Sequence, residues 1–379
     1  MTLALCGDVM LGRGVDQILE HPGDPELRES HLQDARSYVR LAEEAHGPVP
    51  RPAGPSWPWG EALRALAEHA PDVRVVNLET SVTRSDDFAP RKAVHYRMSP
   101  ANLPCLAAAR PDVCALANNH VLDFGRRGLA GTLDALAGAG LTAAGAGRDA
   151  AAAWRPAAIP VHGGAGRVLV FSCGMPCSGI PPGWAAGEGR PGVALLPGPT
   201  PEAAEAVAGR VRRAKRPGDV AVVSVHWGSN WGYDVPEAHV RFAHALIDGG
   251  ADLVHGHSSH HPRPLEVHRG RLVLYGCGDF VDDYEGIGGH ERFRDDLRLL
   301  YLVSLSADGE RDGGALTGLR MVPLRARRLR LEAAPEEDAD WLAATLDRVG
   351  RGFGVRIARE PGGPLVLAGR EEGAARAPG

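Results

Sequence analysis

Short apolar runs that stop at polar, chemistry-bearing residues recur along this chain. Thr2–Cys6, Val73–Leu78, Asp112–Ala117, Asp219–Val225 and Ala251–His255 are each five to seven residues long and mostly aliphatic. That length and composition predict buried strands. Helix-period apolar patterns lie between or beside them: from Met10 to about Glu20, Trp59–His69, Ala101–Ala109, Arg127–Ala137, Pro201–Ala214 and Pro236–Asp248. Leu141–Ala144 reads as one more short strand. Strands alternating with helices predict an α/β fold with parallel pairing. Two hairpins are expected, one across residues 163–166 and one across Arg269–Gly270. Leu297–Leu305 and Leu316–Leu324 alternate as antiparallel strands do, and Glu336–Val349 has a helical pattern.

These patterns give one main domain over residues 1–330, a C-terminal helix within 331–360 packed on it, and a frayed tail over 361–379. Residues 21–58 interrupt the alternation with Pro, His and charged residues, and only Arg36–Glu44 looks helical. They read as an insertion over the crevice mouth, either a lid or a surface loop.

The strand ends carry the candidate chemistry. In open α/β sheets, ligands bind beyond the carboxyl ends of the strands. Asp8 and Glu79 follow the first two runs, and Asn118-Asn119-His120 the third. His226 ends the fourth. The fifth opens into Val254-His255-Gly256-His257-Ser258-Ser259-His260-His261, four histidines in seven residues. Asp is a favoured helix N-cap and Asn closes turns, so each position alone has a structural reading. Together, Asp8, Glu79, Asn119, His226, His257 and His260 mix hard oxygen donors with imidazoles. That mix favours Mn, Fe or Zn over an all-oxygen calcium cage. Six ligands exceed one tetrahedral zinc and suit two ions with a bridging carboxylate, for which Glu79 is the natural choice. His120 is placed for proton transfer, with Asp123 orienting its ring. His255 should pack within the strand, and His261 should lie behind the ligands or face substrate. Trp227, Trp231 and Tyr233 could form an aromatic wall, and Arg13, Arg91 and Arg97 could receive a carboxylate or phosphate.

Composition narrows the class. The 379 residues are 44% hydrophobic and 23% charged, with a net charge of −5. An ordinary globular composition without a basic excess argues against nucleic acid or an anionic membrane as partner. No run reaches the length of a membrane span, and the N-terminus lacks the pattern of a signal peptide, so a cytoplasmic enzyme is expected. Most of the six scattered cysteines read as buried thiols.

As an ordered set, these motifs resemble the CapA family of bacterial poly-γ-glutamate capsule synthesis. The matching segments are Gly7-Asp8-Val9-Met10-Leu11-Gly12-Arg13, Asn77-Leu78-Glu79, Ala117-Asn118-Asn119-His120-Val121-Leu122-Asp123-Phe124-Gly125, His226-Trp227-Gly228 and Gly256-His257-Ser258-Ser259-His260. The resemblance implies a calcineurin-like metallophosphoesterase fold, a four-layer α/β/β/α sandwich with the metal site at the strand ends. It places Asp8 and His260 on one metal, Glu79 between the two, and Asn119, His226 and His257 on the second, with calcium also conceivable. His120 would be the acid or base. The chain departs from typical phosphoesterases in having Met10 where they carry a histidine.

The resemblance implies a metal-dependent enzyme acting on a peptide or poly-γ-glutamate-like substrate. Two alternatives stand beside it. One is a peptide epimerase of the kind found in lasso-peptide maturation, exchanging a Cα proton without cleavage. The other is a non-catalytic binding subunit of a polymer synthase.

Overall fold

The computed structural model describes residues 1–161, 166–306 and 313–370. Its strands are β1 (Thr2–Val9), β2 (Val73–Leu78), β3 (Val113–Ala115), β4 (Thr142–Ala144), β5 (Ala157–Pro160), β6 (Arg167–Gly174), β7 (Val220–His226) and β8 (Leu253–His257). They continue with β9 (Leu265–His268), β10 (Arg271–Leu274), β11 (Asp279–Val281), β12 (Leu297–Leu305), β13 (Leu316–Ala326), β14 (Leu331–Ala333), β15 (Val355–Arg359) and β16 (Leu365–Arg370). The helices are α1 (Arg13–Ile18), α2 (Arg36–His46), α3 (Glu61–His69), α4 (Leu103–Ala108), α5 (Gly125–Gly138), α6 (Ala150–Ala153), α7 (Pro201–Ala214), α8 (Glu237–Asp248) and α9 (Glu336–Gly350).

Two sheets face each other. The larger has the order β15-β16-β13-β12-β1-β2-β3-β4, with β11 also on β1 and β14 on β13. The smaller runs β9-β10-β8-β7-β6-β5. Strand alternation divides the side chains between layers. Leu3 and Leu5 of β1, Val73 and Val75 of β2, Val168 and Val170 of β6, and Val220 and Val222 of β7 share the core between the sheets. The intervening residues face outward. Ala4, Cys6, Val76 and Leu78 pack under α1–α5, while Leu169, Phe171, Ala221 and Val223 pack under α7 and α8. Strands covered on both faces read as continuous apolar runs, which is why they were legible. The result is the four-layer α/β/β/α sandwich.

α7 begins at Thr200, whose side chain accepts from the Ala203 amide at 3.2 Å, with Pro201 in the first turn. α9 inserts Leu342 and Leu346 into the core between the sheets, alongside Val355 and Ile357 of β15.

One expectation changes. The segment from Pro361 is not frayed throughout: Leu365–Arg370 form β16, paired with β13 and β15. Its apolar Leu365 completes the inter-sheet core, and burial outweighs the surrounding Gly and Arg. Residues 371–379 lie outside the described residues, as does most of the turn at 163–166. The antiparallel pairing of β5 and β6 on either side of that turn agrees with the hairpin. Residues 21–58 carry the expected helix: α2 buries Tyr38, Val39 and Ala42, and Tyr38 joins Leu27 and Ala35 in a small cluster.

The strand ends converge because β1, β2 and β3 run parallel in one sheet, and β6, β7 and β8 in the other. β11 pairs parallel with the end of β1, bringing Asp279 opposite Asp8. This crossing is tight: a Cβ on Gly7 would lie 1.6 Å from the Gly278 carbonyl oxygen. Gly7→Ala is therefore expected to lower the melting temperature by at least about 5 °C. Gly54→Ala, whose Cβ would meet nothing within 4 Å, should change it by less than about 2 °C. Equal melting temperatures for the two variants would show that the crossing is not under this constraint.

Candidate metal centre

Asp8 lies at the end of β1, fully buried. Its Oδ1 accepts from Asn77 Nδ2 at 2.7 Å, and the same amide group donates to Glu79 Oε2 at 3.0 Å. Asp8 Oδ2 is buried without a hydrogen-bond partner. Glu79 and Asp279 are also buried, at 3% and 1% exposure. Three carboxylates thus meet out of water. Burial, reinforced by the neighbouring acids, pushes Asp8 well above the usual carboxylate range. Burial also pushes Glu79 up, to about 8.

The imidazoles come from the other sheet. His226 Nδ1 and His257 Nδ1 face each other at 2.8 Å, and His226 Nε2 lies 2.9 Å from Asn119 Oδ1. His257 Nε2 contacts Ser224 Oγ at 2.9 Å. Burial first, and then the neighbouring imidazoles, hold both histidines well below the ordinary value. They are therefore neutral at pH 7, the form that ligates metals. His260 Nδ1 meets both oxygens of Asp279 at 2.9 and 3.0 Å. Burial opposes its charge, but Asp279 prevails and its pKa is raised.

Two groups of ligand atoms lie within metal-binding reach, each set within 4.8 Å of one another: Asp8 with His226 and His257, and Asp8 with His260 and Asp279. Asp8, not Glu79, is common to both. Glu79 Oε1 instead stands 3.8 Å from the Nε2 atoms of both His120 and His226.

The third strand end divides its roles between adjacent residues. Asn118 closes the turn: its Oδ1 accepts from the His120 and Val121 amides, and its Nδ2 donates to the Leu78 carbonyl. Asn119 faces His226 instead. His120 Nδ1 lies 2.6 Å from Asp123 Oδ2, which assigns its proton to Nδ1 and leaves Nε2 toward Glu79. Burial lowers the His120 pKa to about 4, against the pull of Asp123. Asp123 is buried, and burial alone would raise it, but His120 and Lys92 bring it below the ordinary value. Lys92 Nζ reaches Asp123 Oδ1 at 2.5 Å and the Asn119 carbonyl. Ser258, between His257 and His260, has φ 98°, a conformation that a non-glycine residue holds only when its surroundings fix it.

The profile of the family described as "Bacterial capsule synthesis protein PGA_cap" matches residues 2–284. The chain belongs to that family. It is 55% identical over 362 residues to a probable polyglutamine synthesis accessory protein of Mycobacterium tuberculosis, covering 95% of this chain and 94% of that one. It is 27% identical over 311 residues to the PGA biosynthesis protein CapA of Bacillus subtilis, covering 82% and 69%. Among solved structures it is similar to a 5'-nucleotidase precursor from Thermus thermophilus, at 18% identity and TM-score 0.46. That match covers 92% of this chain and 59% of the other.

The family's ordered motifs therefore do meet at one place, but not every candidate joins them. Arg13 is buried and uses four of its five donors: Asp283 takes its Nε at 3.1 Å and Nη2 at 2.5 Å, while Glu29 and Tyr38 each take Nη1 at 3.0 Å. It ties the 21–58 segment to the loop after β11 and is not offered to a ligand. Arg97 donates to the Ser85 and Asp24 carbonyls and lines a cleft of about 460 Å³ that none of the metal-group residues borders. Arg91 is exposed and unpaired among the described residues.

Trp227 is a core residue, stacked on His239 and Tyr275, with its indole N–H on the Tyr275 carbonyl. Trp231 and Tyr233 do stand near the centre. Trp231 is 5.3 Å from the His260 ring and stacks on His290 at 3.8 Å. His261 is buried and accepts from the Gly232 amide, so it supports this wall from behind. His255 packs as expected, with Nε2 on the Cys6 carbonyl at 2.8 Å.

Asp279, Tyr96 and Tyr284 were not foreseen. Asp279 had a signal, since Gly278-Asp279 after an apolar run repeats Gly7-Asp8. The Tyr96 and Tyr284 hydroxyls meet at 2.5 Å, their rings at 4.4 Å from His120 and 5.2 Å from His260. Nothing in their local sequence marks them.

The raised Glu79 pKa has a consequence for stability. Below about pH 4.5 the carboxyl is protonated whether folded or not, and its stabilising contribution is complete. As pH rises toward 8, only the unfolded chain loses that proton freely, so the contribution is lost. In metal-free protein, Glu79→Gln should therefore gain stability relative to the parent as pH goes from 5 to 8. Melting curves at both pH values check this, and a pH-independent difference would refute it.

Proposed function

We propose that this family member is a divalent-metal-dependent enzyme acting on a peptide or poly-γ-glutamate-like substrate. The observation that carries the metal is the buried cluster of Asp8, Glu79 and Asp279, with Asp8 Oδ2 lacking any partner. An uncompensated buried carboxylate is costly unless a proton or cation neutralises it. The donors fit such an ion: Asp8, His226, His257 and Asn119 would hold one, and Asp8, His260 and Asp279 a second, with Glu79 alongside. Mn, Fe or Zn suits this mixture of oxygen and imidazole. When bound, the metal supplies Lewis acidity toward a carbonyl or phosphoryl oxygen and makes a water more acidic.

The chain's own residues do the rest. His120 offers Nε2 as acid or base, and Asp123 holds its ring by Nδ1. Lys92 keeps Asp123 ionised and fixes the backbone at Asn119. Trp231 and Tyr233 form a partly buried aromatic surface for an apolar portion of the substrate. The substrate class comes from the relatives, which are described as proteins of polyglutamine synthesis and PGA biosynthesis. No described helix is long and apolar enough to cross a membrane.

The test uses the full chain loaded with Mn²⁺ or Zn²⁺ and incubated with poly-γ-glutamate and γ-glutamyl peptides in deuterium oxide. Metal-dependent release of new amine ends is expected, reduced about 10²- to 10⁴-fold in His120→Ala and abolished in Asp8→Asn. Deuterium uptake at Cα without cleavage would replace this reading with an epimerase. Tight polymer binding with neither reaction would replace it with a binding subunit.

A further inference from the structure

A second constellation of metal-ligating side chains lies on the edge of the smaller sheet. α8 places His244 and Asp248 four residues apart, one above the other on a helix face. β9 places Glu266 and His268 two residues apart, on one face of the strand. The two pairs meet. His244 Nε2 lies 2.9 Å from Glu266 Oε1, and His268 Nε2 lies 3.0 Å from Asp248 Oδ1. The two imidazoles stack with centroids 3.8 Å apart and planes 8° from parallel. Ligand atoms of His244, Glu266 and His268 all fall within 4.8 Å of one another.

Topology puts this cluster at the far end of the sheet from the centre described above. β10 runs parallel to β8, whose C-terminal end carries His257, and His268 pairs with Arg271 at the N-terminal end of β10. The two sites are therefore separate. The second oxygen of Glu266 accepts from the Tyr275 hydroxyl at 2.6 Å. Such outer hydrogen bonds orient ligating carboxylates in known metal sites. Arg269 also contacts Asp248, at 3.2 Å, but its side chain is 71% exposed and free to swing aside.

We propose that His244, Asp248, Glu266 and His268 form a second site for a divalent transition metal of the zinc class. Two imidazoles and two carboxylates match the ligand set and coordination number of tetrahedral zinc, and not the oxygen cages of calcium or magnesium. The ion would clip α8 to β9, an edge strand that nothing pairs on its outer side among the described residues. Fastening such an edge guards it against unwanted strand pairing. The proposal stands apart from the catalytic reading, because it uses none of the same residues.

Zinc chloride is titrated into the chelator-treated full chain by calorimetry, with melting curves in parallel. Three proteins are compared: the parent, His244→Gln/His268→Gln, and a primary-site variant, Asp8→Asn/His257→Ala/His260→Ala, which removes donors from both groups of the primary centre. The expected result is that the double glutamine variant binds one equivalent fewer than the parent, while the primary-site variant still binds zinc and still gains melting temperature from it. Equal zinc stoichiometry in the parent and the glutamine variant would overturn the proposal. Should the glutamine variant fail to fold, Co²⁺ added to the primary-site variant decides. Intense tetrahedral d–d absorption bands support the site, and their absence overturns it.

Discussion

Three buried carboxylates set the terms for this structure. Asp8, Glu79 and Asp279 come together where the two sheets meet, with one amide group, Asn77 Nδ2, bridging two of them. Like charges in a dry site repel, so the cluster holds only when protons or a cation neutralise it. The surrounding architecture accommodates that demand. Gly7 lacks a side chain where β1 passes the Gly278 carbonyl, which allows Asp279 to approach Asp8. Neutral His226 and His257 come in from the opposite sheet and add donors without adding charge.

Around that cluster, polar groups are held by partners that serve no other visible purpose. Asp123 takes the His120 ring, the Lys92 ammonium and the Tyr96 amide at once, a dense anchoring for a single buried acid. Ser224 sits between His255 and His257. Arg13 bridges Glu29 in the 21–58 segment and Asp283 after β11, and its guanidinium lies 3.8 Å from the Tyr38 ring centroid and 4.3 Å from that of Tyr96. Through Tyr96 and Tyr284, the segment that looked like an optional insertion is mechanically connected to the ring edges of His120 and His260. Its order and that of the centre are therefore coupled by packing and ion pairing.

Membership of the PGA_cap family rests on agreement across most of the chain, and the shared motifs meet at one place. Met10 lies in this setting too: it is buried beneath the centre, with its sulfur 3.6 Å from the Tyr284 hydroxyl. A histidine there would add a ligand beside Asp8, whereas the thioether offers only a weak acceptor. Asp279, opposite Asp8 in the sheet, is paired with His260.

The sequence by itself determined the layers and pointed to most of the acids and imidazoles that gather at the strand ends. Strands buried on both faces must be apolar throughout, so β1, β2, β7 and β8 were visible as runs, and the acids and imidazoles at their ends stood out against them. Five of the six cysteines are buried thiols, as expected, and Cys177 is exposed. Contacts between distant segments were decided by tertiary structure. Whether Asp8 or Glu79 is shared between the two ligand groups depends on ångström-scale approach across two sheets. Arg13 and Trp227 looked available because charge and aromaticity are local properties, but burial is not: ion pairs 270 residues apart in the chain occupy one, and the helix layer covers the other. β15 and β16 were missed because short strands at the sheet edge are specified by their neighbours more than by their own pattern.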